Sequence, residues 1–67
     1  MKYVSVAIDA GPIDPLTYEI PDGLLGAVDV GSCVLIPLGG RQVVGYVIGP
    51  DDAPEASNIR PIICVLE

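Results

Sequence analysis

Short apolar runs, each cut off by proline or glycine within a few positions, leave this chain little to form but strands. Residues 2–9 (KYVSVAID) alternate Val4, Val6 and Ile8 with Tyr3, Ser5 and Ala7, the period-two pattern of a strand with one face in a core. Residues 16–20 (LTYEI) are β-branched and aromatic and stop at the turn residues Pro21-Asp22-Gly23. Residues 32–38 (SCVLIPL), 42–48 (QVVGYVI) and 59–67 (IRPIICVLE) are three further extended segments. Between them, 24–31 (LLGAVDVG) has room for at most one helical turn. The stretch 10–15 reads as an irregular connection, and 49–58 (GPDDAPEASN) as the most mobile segment. Five short strands with turn signals predict an all-β fold, a small open or partly closed barrel. Gly39-Gly40-Arg41 would be its β-hairpin, with glycine in a left-handed position. Gly45 predicts a bulge or a bend, and Pro37 predicts a sheet edge.

At 67 residues the chain is one domain, 1–67, with a marginal core, because a chain this short buries only about 60% of its unfolded surface. Its run to the last residue in strand pattern reads as a segment of a longer protein. Cys33 and Cys64 lie inside the apolar runs SCVLI and IICVL, and the chain has no histidine. Zinc usually requires four soft or imidazole ligands, so the expectation is two buried free thiols, no metal and a reducing compartment. Apolar residues make up 51% of the sequence, yet no run approaches the ~18 residues that span a bilayer. The beginning, MKYVSVAID, lacks a signal-peptide core. A cytoplasmic protein without membrane contact is expected.

Catalytic constellations are hard to assemble from these residues. Without histidine, Ser-His and Cys-His pairs are impossible. With Lys2 as the one lysine, there is no phosphate-binding GxxxxGK[ST] loop. Asp51-Asp52 and the Asp9/Asp14 pair sit in turn-like segments, where aspartate commonly serves turn geometry. The chain is expected to be a binding module, with no catalytic residue and no cofactor. Its net charge of −6, nine acids against Lys2, Arg41 and Arg60, argues against broad nucleic-acid binding. Gly39-Gly40-Arg41 has two readings. It is a common hairpin with an idle arginine, or a bare backbone and a guanidinium that suit a phosphate or a sugar hydroxyl.

Taken in order, V-S-V-A-I (4–8), P-L-T-Y-E-I-P (15–21), V-G-S-C-V-L-I-P-L-G-G-R (30–41) and V-V-G-Y-V-I (43–48) resemble the N-terminal 3′-DNA-binding domain of the primosomal replication-restart helicases, the PriA family. The resemblance covers nearly the whole chain. It implies recognition of a free DNA 3′ end, that of the nascent leading strand at a stalled fork, and attachment to the remaining helicase domains. By position, the implied pocket residues are Leu16, Thr17, Gly39 and Arg60, with Gly40 and Arg41 beside them on the turn. Leu16 would pack on the base, Thr17 and Gly39 would bond the 3′-OH, and Arg60 would hold phosphate or base edge. Well-described members carry Phe and Asp where this chain has Leu16 and Thr17, so aromatic stacking and a charge-assisted bond are absent here. A competing reading is an acidic β-barrel that docks a motor domain or another partner through a strand edge, without touching DNA.

Overall fold

The computed structural model describes residues 2–8, 14–51 and 58–66. Asp9, Asp52 and most of the turn-rich 49–58 segment, singled out above, lie outside the described residues. Five strands form one sheet: β1 (Tyr3–Ile8), β2 (Leu16–Glu19), β3 (Cys33–Leu38), β4 (Arg41–Pro50) and β5 (Cys64–Val65). Every ladder is antiparallel, and the order is β2-β1-β4-β3-β5. Among the described residues the helical content is one 3-10 turn, Asp22–Leu24, after which the chain buries Val28. The all-β reading is correct.

Alternation decides which side chains enter the core. Val4, Val6 and Ile8 of β1 point inward with Tyr18, Val34, Ile36 and Val47, and Ile20, Val28 and Ile62 join them from between the strands. With no Phe or Trp in the sequence, branched aliphatics carry this core, each contributing about 1.5–3 kcal/mol when fully buried. The same alternation turns Cys33 and Leu35 to the outer side, where Cys33 faces Tyr46 and Cys64 faces Leu35. Both cysteines are free and only half-buried. The expectation of core thiols is therefore wrong: an apolar run in a strand fills both faces, and the cysteines took the outer one.

The β3–β4 hairpin is tighter than the sequence suggested. Gly39 and Gly40 alone form the loop, with φ of 57° and 79°, and Arg41 already belongs to β4, paired with Leu38. Two successive positive φ angles give a loop whose twist matches that of the flanking strands, which requires glycine-like residues at both positions. Gly45 is not a bulge. It pairs regularly with Ile8 and Val34, and the irregularity lies further along β4, where Ser5 pairs with Gly49 and Val6 with Val47, leaving Ile48 extra. Gly45 is there for close approach: an added Cβ would collide with Val6 Cγ1 and come within 3.0 Å of the Ala7 carbonyl.

The last strand shrinks from the expected 59–67 to two residues because the segment before it changes partners. Glu19 N–H donates to Arg60 O at 3.0 Å and Ile62 N–H to Glu19 O at 2.9 Å, bracketing Pro61, which has no N–H to offer. Ile63 N–H then donates to Leu35 O and Leu66 N–H to Cys33 O. One segment thus touches β2 on one side and β3 on the other. The sheet curls into a barrel whose two edges meet without a continuous ladder.

Candidate functional site

Where the edges fail to close, a cleft of about 500 Å³ opens. Its walls come from the start of β2, the tip of the β3–β4 hairpin and the segment leading into β5. Leu16, Thr17, Gly39, Gly40, Arg41 and Arg60 all border it. These residues lie on three separate stretches of sequence, and β1 and β4 stand between β2 and β3 in the sheet. Curling alone makes them neighbours.

Among the described residues a single side-chain hydrogen bond spans the walls. The Tyr18 hydroxyl donates to the Pro37 carbonyl at 2.7 Å. Ladder parity explains why that carbonyl is available. The tight loop makes Leu38 and Arg41 the closing pair, so the carbonyls of Cys33, Leu35 and Pro37 all point away from β4. Leu66 and Ile63 take the first two. Pro37 lies beyond β5, and Tyr18 takes the third. Proline also leaves no N–H on that open side, so the edge expected at Pro37 is real and costs no ladder bond.

Parity places the Thr17 backbone in the cleft as well. Ile20 N–H donates to Lys2 O of the chain beside it, whereas the N–H and carbonyl of Glu19 turn outward to Arg60 and Ile62. Thr17 is two residues before Glu19, so its N–H and carbonyl also turn away from β1. Among the described residues neither has a backbone partner. The Thr17 hydroxyl is engaged, donating to Asp51 Oδ2 at 2.7 Å.

Arg41 and Arg60 are exposed at the rim, so two of the three basic residues in the chain border this one cleft. Burial pushes the Tyr18 hydroxyl above its usual pKa of 10.0, and the Arg60 guanidinium pulls the other way. The charge of Arg60 is thus felt at the cleft floor. Leu16, Leu38 and Ile63 supply apolar surface, and Gln42 and Asn58 supply amides. Such a cleft suits a group with an apolar face, a hydrogen-bonding edge and an adjacent negative charge. Among the described residues no cluster of His, Cys, Asp or Glu is placed to hold a metal ion.

A sequence profile of the PriA 3′DNA-binding domain (3′BD) matches residues 5–67. This chain belongs to the PriA 3′BD family. The replication restart protein PriA of Bacillus subtilis (strain 168) is 35% identical to it over 61 residues. That match takes in 87% of this chain and 8% of the relative. The six positions implied by the sequence resemblance all border this one cleft. The resemblance did not single out Tyr18, Gln42, Asn58 or Ile63, which also line the cleft, or Asp51, which lies behind Thr17. Tyr18 had a signal of its own, since a buried tyrosine needs a partner for its hydroxyl. Asp51 had none, because its contact joins residues 34 apart.

Proposed function

We propose that this 3′BD binds DNA by the free 3′ end of a strand, the end of the nascent leading strand at a stalled fork, as part of a replication-restart helicase. The convergence of Leu16, Thr17, the Gly39-Gly40 turn, Arg41 and Arg60 around one cleft carries this reading. The terminal base packs on Leu16, without the stacking worth about 1–3 kcal/mol per base that an aromatic residue would give. The outward Thr17 backbone and the bare turn meet the sugar and its hydroxyl. Arg41 and Arg60 hold the adjacent phosphate as charge-assisted donors.

The net charge of −6 fits end-binding better than groove-tracking. Two cleft arginines neutralise about two phosphates, and the acidic remainder repels the strand beyond its last nucleotides. The test is a titration of the chain with fluorescent oligonucleotides bearing a free or a phosphorylated 3′ end. Weaker binding of the phosphorylated end supports the reading, and equal affinity for both ends sinks it.

A second reading has its own observation. Val44, Tyr46 and Ile48 of β4 are 38%, 46% and 48% exposed on the outer side of the sheet, an apolar strip that suits docking on other domains. It makes the outer face a docking surface and leaves the cleft idle. Absence of any oligonucleotide binding would favour it.

A further inference from the structure

The contact between Thr17 and Asp51 has no part in the end-binding reading as stated. It crosses the sheet, since Thr17 is on β2, Asp51 follows β4, and β1 runs between them. The crossing occurs at Ser5, a small residue whose ladder partners are Thr17 on one side and Gly49, without a side chain, on the other. Asp51 is anchored at both ends: its N–H donates to Tyr3 O at 2.8 Å and its carboxylate accepts from Thr17 at 2.7 Å. It is half-buried and fixed, unlike an acid moving freely in solvent.

Two chemical consequences follow. A hydroxyl has one proton, and that of Thr17 is committed to Asp51, so its oxygen has only lone pairs left to offer. A negative charge also stands one hydrogen bond behind a residue of the β2 wall, while the arginines occupy the turn and the segment before β5. We infer that Asp51, behind the cleft, determines its specificity through Thr17: its carboxylate makes the β2 wall accept a ligand hydroxyl and reject a ligand phosphate. The inference rests on the end-binding reading and deepens it. Arg41 and Arg60 by themselves favour the more anionic of two ends, so they cannot select a hydroxyl. A fixed carboxylate repels an added terminal phosphate and leaves a neutral hydroxyl unaffected, which is discrimination by an unfavourable contact with the wrong ligand.

Asp51→Asn tests it, since asparagine keeps the size and an acceptor for Thr17 but removes the charge. Each protein is titrated with two oligonucleotides that differ only in a 3′-hydroxyl or a 3′-phosphate. The ratio of the two Kd values, taken on one preparation, cancels any unfolded fraction. The parent chain prefers the hydroxyl, and Asp51→Asn lowers that preference by on the order of tenfold, mainly through tighter binding of the phosphate. Glu19→Gln removes an acid of β2, the strand of Thr17, that makes no side-chain contact with Thr17, and leaves the preference within about twofold of the parent. A parent preference that survives in Asp51→Asn overturns the role of Asp51 and leaves end-binding standing. Equal effects of Asp51→Asn and Glu19→Gln also overturn it, since net charge alone would then account for the result. A parent without any preference overturns end-binding itself, and the role of Asp51 with it.

Discussion

The wall formed by β1, β4 and β3 and the cleft between β2 and the hairpin belong to one sheet but are held by different forces. Along the wall, continuous ladders pair the backbone and the inner side chains pack so closely that Gly45 has no room for a methyl group. Across the cleft, the edges meet through Glu19 with Arg60 and Ile62, and through Tyr18 with Pro37. Packing fills the inner face of the wall, and the side chains buried there have nothing left to offer a ligand. The cleft stays open because few bonds cross it, and what those bonds do not use is available for binding. The sharpest way to break this contrast is Gly45→Val. Its side chain must displace Val6 and approach the Ala7 carbonyl, a core overpacking that costs about 3 kcal/mol or more. In a domain this small the melting temperature falls by roughly 12 °C or more. A melt within a few degrees of the parent would show that the wall is not tight.

Charge removal at the cleft has the opposite signature. Arg41→Ala and Arg60→Ala each weaken binding of a 3′-OH oligonucleotide by about 1–3 kcal/mol. Stability stays within about 0.5 kcal/mol of the parent, because Arg60 meets the β2 edge with its backbone carbonyl, which alanine retains. Unchanged affinity in both variants would remove the arginines from the binding site.

These two predictions also mark what the sequence made legible. The strands β1 to β4 were readable because alternation in VSVAI and the Gly-Gly loop report local geometry directly. The six cleft residues were placed by resemblance to a family, since no local pattern says that residues 16, 39 and 60 meet. Three features depended on long-range pairing and stayed hidden. The segment before β5 looked like plain strand, yet it divides its bonds between two edges. Cys33 and Cys64 sit in runs apolar on both faces, so the period-two pattern could not tell inside from outside. The reason for Gly45 became visible only once Val6 and Ala7 were opposite it.

Salt dependence sharpens the same comparison through a smaller effect. If two arginines are the cationic contacts, log affinity falls with log salt at a slope near −1.4, about sevenfold between 50 and 200 mM. Repulsion from the acidic remainder is itself screened as salt rises, which flattens the slope further. The Arg41→Ala/Arg60→Ala double variant brings the slope close to zero. A slope steeper than about −4 in the parent would mean many phosphate contacts and a surface far larger than the cleft.

The smallest effect belongs to Tyr18, whose side chain ties the walls together. Tyr18→Phe keeps the ring in the core and removes only the bond to the Pro37 carbonyl, at a cost of about 1 kcal/mol in stability. Affinity for the 3′ end falls a few-fold, because the turn is no longer held against β2. The bond also has a pH signature. Burial raises the Tyr18 pKa above the 10.0 of an unfolded tyrosine, so above pH 10 the folded chain holds a proton that the unfolded chain has released. Stability from this group is therefore fully present below pH 10 and is lost as pH rises through the folded pKa. Urea titrations across that range show the loss in the parent, while in Tyr18→Phe this contribution is missing at every pH. Arg60→Ala removes the charge that opposes the shift, so its loss begins at the same pH, set by the unfolded chain, but continues to a higher pH than in the parent. If Tyr18→Phe and the parent fall in parallel above pH 10, the hydroxyl does not bridge the cleft in solution.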